Sequence, residues 1–413
     1  IRDPKRGTEI PLVDCLMSGL AVFHLKYSSL LKFEESRQSK QVQANLQNLY
    51  DVTRIPSDTQ LRTRLDVLNP AELQSCFVDV HRSLQRGNVL KPFSYLDGHL
   101  LLSMDGTEFF SSKKIHCDYC CERIRANGVS TYYHQMLSAA IVHPDYRYVF
   151  PLAPEPIQQQ DGKIKNDCER NAAKRLIARI RKDHPRRKFI VIEDGLASNG
   201  PHIKELGKAG LRYILVVKPG DHKYLFNQLK TSERTRDETI TDKKGHVHQF
   251  RYLNDVSLNA THVDLKVSVL EYTETDASGK QRYHGAWVTD FTLNPANLME
   301  IMRAGRARWK IENETFNTLK NQGYHFEHNF GHGYQYLANV MVYLMHLAFL
   351  ADQIQQACCA LFKEVLRIVK YKTHIWEKQR SIWRSFEIPD WETAYRALAY
   401  GWEVKSIIPN NTS

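Results

Sequence analysis

The chain has 413 residues, 42% of them hydrophobic and 25% charged, the composition of a folded globular protein and not of a disordered or fibrous one. At roughly 150 residues per domain it has room for about two to three domains, which excludes a small disulfide- or metal-stapled scaffold. Fifty-seven Lys and Arg stand against 46 Asp and Glu, a formal charge of +11, and that excess suits a polyanionic partner such as nucleic acid.

From Pro11 to about Leu90 apolar positions such as Leu12, Leu16, Leu20 and Phe23 recur at helical spacing. Pro56-Ser57-Asp58 opens a further helix, with Ser or Asp as its cap. Residues 1–95 are therefore predicted to form a helical N-terminal domain that binds DNA. Beyond Pro92 the texture changes, and Leu100–Asp105, Val129–His143 and Tyr146–Leu152 read as strands. Asn166–Lys182 reads as an amphipathic basic helix. Between Lys163 and Lys188 eleven Lys and Arg face only Asp167, Glu169 and Asp183, so this stretch, with Lys174 and Arg175 near its centre, is a candidate phosphate-binding surface.

Phe189–Asp194 reads as a strand, Pro201–Ala209 as a helix and Leu211–Lys218 as a strand, an alternation that predicts a mixed α/β sheet with helices on its faces. His246–Leu253, Asp264–Thr273 and Gln281–Phe291 follow as strands with no helix expected among them. Residues 221–294 are accordingly read as a β-rich insertion that interrupts a catalytic domain formed by 96–220 and 295–355. Helical sequence resumes at Pro295 and runs to about Tyr324. The apolar run Val340–Leu350 contains His346 and ends near Asp352, which predicts a buried core helix and no membrane role. Residues 356–413, with Trp376, Trp383 and Trp391, read as a C-terminal helical region. No signal-type segment precedes the first cysteines, so a cytoplasmic, reduced chain is expected, and the opening residue Ile1 suggests a preceding segment.

Three acidic residues stand out by context. Asp105 closes the apolar run Leu101-Leu-Ser-Met-Asp-Gly, Asp194 closes Val191-Ile-Glu-Asp-Gly, and Glu312 lies on the helix Arg308-Trp-Lys-Ile-Glu. Carboxylates from neighbouring strand ends and a packed helix can hold two Mg²⁺ ions about 3.5–4 Å apart, with Mn²⁺ able to substitute, and this is the arrangement of phosphodiester chemistry. Glu193 competes with Asp194, but adjacent strand residues point to opposite faces, so one of them is expected to join Asp105, and Asp194, before the glycine, is favoured. Glu314 is the alternative third carboxylate. Arg308 and Glu312, four apart on one helical face, also fit a plain surface ion pair. Trp309 is read either as a stacking platform for a displaced base or as a buried anchor of its helix. Cys117 and Cys120 have the Cys-x2-Cys spacing of a structural Zn²⁺ site, with Cys121, Cys168 and His134 as further donors, and reduced core cysteines as the alternative.

The run Arg308-Trp309-Lys310-Ile311-Glu312, followed by Lys320, resembles the Tyr-x2-Arg-x3-Glu-x6-Lys signature of bacterial insertion-sequence DDE transposases of the insertion-sequence-four type. The order Asp, Asp, Glu and a β-rich stretch before the Glu helix also resemble that family, from about residue 96 to residue 350. Gly305 occupies the signature tyrosine position, and Lys320 lies one residue beyond the signature spacing. The resemblance implies an RNase H-like catalytic domain with Asp105, Asp194 and Glu312 as Mg²⁺ ligands, and Arg308 and Lys320 as the signature DNA contacts. It also implies cut-and-paste transposition through a hairpin intermediate, by a homodimer on transposon ends and target DNA, in a bacterial cytoplasm and on its nucleoid. A catalytically silent DNA-binding descendant and a nuclease that cuts without joining are the rival readings.

Overall fold

The computed structural model describes residues 1–3, 10–126, 128–158 and 168–401. In chain order the helices are α1 (Leu12–His24), α2 (Leu30–Ser36), α3 (Lys40–Tyr50), α4 (Asp58–Asp66), α5 (Gln74–Arg86), α6 (Glu169–Asp183) and α7 (Gly200–Lys208). They continue with α8 (Lys223–Thr231), α9 (Leu298–Arg306), α10 (Asn317–Asn321), α11 (Leu337–Cys358), α12 (Ala360–Val369), α13 (Lys372–Ser385) and α14 (Trp391–Tyr400). A π-helical stretch, Ile311–Phe316, runs directly into α10. The strands are β1 (Ser94–Tyr95), β2 (His99–Ser112), β3 (Cys121–Ile124), β4 (Ser130–Val142), β5 (Phe150–Pro151) and β6 (Glu155–Ile157). They end with β7 (Phe189–Glu193), β8 (Arg212–Val216), β9 (Arg236–Thr241), β10 (Val247–Ser257), β11 (Lys266–Thr275) and β12 (Gln281–Thr289).

The chain divides into two compact units, one of residues 1–73 with 318–413 and one of residues 74–317. This division crosses the five segments expected from sequence, because the first and last helices fold together. In the first unit α1 packs on α11, α3 and α4, and α13 packs on α3. Lys26 and Asp352 form a buried ion pair of 2.5 Å at its centre. The Lys26 ammonium also lies 4.1 Å from the Tyr324 ring centroid and 4.3 Å from that of Trp376. Asn45 ties the C-terminal segment to α3: its amide donates to the Trp383 and Phe386 carbonyls and accepts from Ile388 N–H. The start of α11 is capped by Asp66, whose carboxylate accepts from the backbone N–H of Tyr334, Gln335 and Leu337 and so satisfies donors that a helix start leaves open. Helix α11 is long and apolar enough to cross a membrane, yet most of it is buried inside the protein, as expected of a core helix.

The second unit is built on one sheet in the order β3-β4-β2-β7-β8-β12-β11-β10-β9. Strand β7, Phe-Ile-Val-Ile-Glu, is buried at every residue, the pattern of an interior parallel strand covered on both faces. It pairs in parallel with β2 on one side and β8 on the other. Strand β4 returns antiparallel beside β2, and β5 and β6 pair with β4. Helix α6 buries Ala172, Ala173, Leu176, Ile177 and Ile180, one apolar face, against β4 and β6. Helix α9 packs on β7, β8 and β11, and the π stretch packs on β2 and β4.

Two expectations are corrected here. The β-rich residues 221–294 do not form a separate block, because β12 pairs with β8 and carries the sheet onward to β9. They also contain a helix, α8, whose short apolar face buries only Leu225 and Leu229 and left a weak periodic signal.

Candidate functional site

Strands β2 and β7 pair in register from Leu100 with Phe189 to Ser103 with Ile192. Asp105 lies two residues beyond the last paired residue of β2, and Asp194 two residues beyond its partner and just past the end of β7; both line one cavity. Asp105 does not end its strand, since β2 runs on to Ser112 against β4. It sits where β7 has stopped, so the parallel sheet opens into a cleft beside it. A cavity of about 580 Å³ lies there, lined by Asp105, Gln135, Glu169, Glu193, Asp194 and His202 among others.

The carboxylates of this cleft are distinguished by their partners. Asp105 is about a quarter exposed and accepts a 2.9 Å bond from Gly106 N–H. Burial, reinforced by the negative charges of Glu312 and Asp194, pushes its carboxyl up to about 7 against the opposing pull of that N–H and of Arg308. Asp194 accepts from Leu196 N–H at 3.0 Å. Glu193 borders the same cavity, although strand alternation predicted that only one of the pair would; Asp194 lies just past the end of β7, where alternation lapses. Glu193 is engaged by His202 at 2.6 Å, and both are buried. Burial alone would lower the His202 pKa, but the Glu193 contact outweighs it and leaves that pKa raised.

Glu312 comes from the π stretch. Arg308 Nη1 lies 2.5 Å from its Oε1 and 3.8 Å from Asp105 Oδ2, so the guanidinium spans two carboxylates and is no plain surface ion pair. The Arg308 carbonyl is held by Ser103 Oγ at 3.1 Å, and Lys310 Nζ donates to the Tyr146 carbonyl at 2.8 Å, which fixes the turn before the π stretch on the sheet. Glu312 is the carboxylate that Arg308 holds, and its charge acts on Asp105.

Glu169 was not singled out from sequence. It is the first residue of α6, and Gln135 Nε2 donates to it at 3.0 Å. Burial, then the charges of Asp194 and Glu193, raise its carboxyl above the usual range. Its approach to β2 is so close that a Cβ on Gly106 would fall 2.7 Å from its Cδ. The glycine after Asp105 could have hinted at such a neighbour.

The candidate DNA contacts fare differently. Trp309 is 51% exposed, which rules out the buried-anchor alternative, and it lies beside Arg308 with the guanidinium 5.2 Å from its ring centroid. Lys174 is exposed on α6. Arg175 is committed internally: its Nε donates to Glu155 at 2.6 Å and its Nη2 to the Pro156 carbonyl, and Arg179 grips the same carboxylate. Much of the basic stretch thus ties α6 to β6, while residues 163–167 lie outside the described residues. Lys320 pairs with Glu327 at 2.8 Å. Cys117 and Cys120 do come together, with His134 as their neighbour, and this Cys/His group has the donors to bind a metal such as zinc. Cys121 and Cys168 do not join them. Cys121 turns to the opposite side of β3 and donates to the Ile157 carbonyl, and Cys168 precedes α6 at the acidic cavity.

No family model matches the chain, and no curated protein matches it. Among solved structures, a piggyBac transposase synaptic complex with hairpin DNA is matched over 94% of this chain and 80% of that one, at 10% identity and a TM-score of 0.38. Likeness of that degree carries no functional argument.

Proposed function

We propose that the chain is a DNA transposase that binds terminal inverted repeats, cleaves a phosphodiester at their boundary with Mg²⁺, and joins the freed 3′-hydroxyl to target DNA. The observation that carries this reading is that Asp105 of β2 and Asp194, just past the end of β7, line one cavity, while Arg308 reaches both Asp105 and Glu312. These carboxylates fit a divalent cation, because Asp105 and Asp194 line one cavity and the like charges of Glu312 and Asp194 act on the half-buried Asp105, a repulsion that a cation would relieve. Mg²⁺ held by Asp105, Asp194 and Glu312 would polarise the scissile phosphate and acidify the attacking water or hydroxyl.

The other residues have distinct tasks. Arg308 orients Glu312, Trp309 offers an exposed ring to an unstacked base, and Lys174 offers a phosphate contact. Lys320 can exchange its exposed Glu327 partner for a phosphate, since such surface pairs contribute little. Three antiparallel strands, β2 to β4, followed by α6, β7, α7 and β8, with β7 parallel to β2 and β8 parallel to β7, support the RNase H-like assignment that the signature implies. Action as a homodimer on paired ends belongs to the same proposal.

The test is incubation of wild type and Asp194→Asn with labelled DNA carrying the flanking repeats and Mg²⁺, resolving nicked, hairpin and joined products. Boundary cleavage and joining by wild type alone are expected. Cleavage without joining from a pre-cut end would make the protein a nuclease, and binding without cleavage in Mg²⁺ or Mn²⁺ would make it a silent DNA-binding protein.

A further inference from the structure

The loop between β2 and β3 carries Cys117 and Cys120, and His134 sits on β4 opposite Phe110 of β2. Cys117 Sγ and Cys120 Sγ are 3.9 Å apart, and His134 Nε2 lies 3.5 Å from the first and 3.4 Å from the second. A tetrahedral zinc with Zn–S bonds of ~2.3 Å and a Zn–N bond of ~2.05 Å sets its ligands about 3.8 Å (S···S) and about 3.6 Å (S···N) apart. The three separations of 3.9, 3.5 and 3.4 Å match those edges.

We infer that Cys117, Cys120 and His134 are ligands of a structural Zn²⁺, with one further donor completing the tetrahedron, at a site separate from the acidic cavity. The supporting contacts suit that role. The Phe109 ring stacks on His134 at 5.6 Å between centroids and fixes its orientation, as outer contacts of a metal-bound imidazole do. Cys117 N–H points at Cys120 Sγ from 3.5 Å, and Cys120 N–H closes a turn onto the Cys117 carbonyl at 3.1 Å; an N–H aimed at sulfur favours the thiolate that zinc requires. Residues 113–120 have no regular secondary structure, and Lys113, Lys114, Ile115 and His116 are all exposed. A loop of this kind has little apolar burial of its own, and a metal crosslink to β4 supplies what it lacks.

This inference stands independently of transposase activity and is read by metal content. Purified full-length protein, made in zinc-supplemented medium and exchanged into metal-free buffer, is expected to hold zinc at one equivalent per chain. Cobalt exchanged into the site should give a thiolate charge-transfer band and intense visible bands of tetrahedral symmetry. Cys117→Ser should lose the metal, whereas Cys121→Ser and Cys168→Ser should keep it in full; the latter two guard against misreading a folding failure. Zinc-free wild type, a cobalt spectrum without a thiolate band, or equal metal loss in Cys121→Ser or Cys168→Ser would each overturn the assignment.

Discussion

Gly305 backs onto the indole of Trp287 so closely that a Cβ on the glycine would lie 2.6 Å from Cε2 and 2.7 Å from Cδ1. Gly305 is the position at which the transposase signature has tyrosine, and the fully buried Trp287 already fills that volume from β12. Gly305→Ala is expected to destabilise the protein by about 1–3 kcal/mol, the usual cost of overpacking, and Trp287→Phe should recover part of it. Urea unfolding of the two single variants and the double variant measures this, and an unaltered midpoint in Gly305→Ala would refute the close approach.

The raised carboxyl of Asp105 links stability to pH. Burial pushes it up to about 7 in the folded protein, from the ordinary aspartate value of 3.8. The folded state therefore binds the extra proton between those values, and the stability fully present below pH 4 is lost as pH rises through 7. The loss is at most about 4 kcal/mol at about 1.4 kcal/mol per pKa unit. Asp105→Asn should abolish cleavage yet raise the melting temperature in EDTA at pH 8, with a smaller gain at pH 5. Equal gains at both pH values would exclude a titrating Asp105.

Glu169 faces the same cavity from the start of α6. Glu169→Gln keeps its shape and removes its charge, so the fold should hold while Mg²⁺ affinity or cleavage falls about 10–100-fold, as for contacts just outside a metal's ligands. Calorimetric Mg²⁺ titration beside a cleavage assay checks it, and unchanged values in both would leave Glu169 a structural residue of the cavity wall.

Trp309 is exposed and contributes little packing. Trp309→Ala should change stability by no more than about 0.5 kcal/mol, while binding of DNA with an unpaired base at the repeat boundary weakens by about 1–3 kcal/mol. Fully duplex DNA of the same sequence should bind both proteins equally. A loss shared by both substrates would point to a phosphate or folding effect.

Lys26 and Asp352 are paired out of water, with His24 and Tyr324 also at the carboxylate. Lys26→Met alone should cost about 3–5 kcal/mol, because it strands a buried charge, whereas Lys26→Met with Asp352→Leu should cost less. The double variant's unfolding free energy decides whether the ion pair itself or its stranded half carries the loss.

The shared cavity of Asp105 and Asp194 was partly legible: the Asp-Gly after Val191-Ile-Glu does mark the end of β7, but the same dipeptide at Asp105 lies inside β2, which runs on to Ser112. Glu169 was hidden, since it sits in a basic stretch whose charge pattern suggested phosphate contacts, and nothing local reports which end of α6 meets the sheet. Arg175 misled for the related reason that a basic helix can spend its arginines on a neighbouring carboxylate, here Glu155. Cys121 looked like a third thiolate by proximity, but it opens a strand, and its alternation turns it away from Cys120. The union of N- and C-terminal helices was least legible, because the contact that marks it, Lys26 with Asp352, spans 326 residues.

The continuation of the sheet through β12 to β9 also governs what can be cut away. Without it, β8, with Tyr213, Ile214 and Leu215 buried, would be the outermost strand, and its open row of N–H and C=O groups would be free to recruit another chain. The border lies instead at β9, whose Arg236, Asp237 and Glu238 make a charged, mostly exposed margin that discourages such pairing. A trimmed version lacking residues 217–292 would therefore keep every carboxylate of the cleft and still be lost to aggregation.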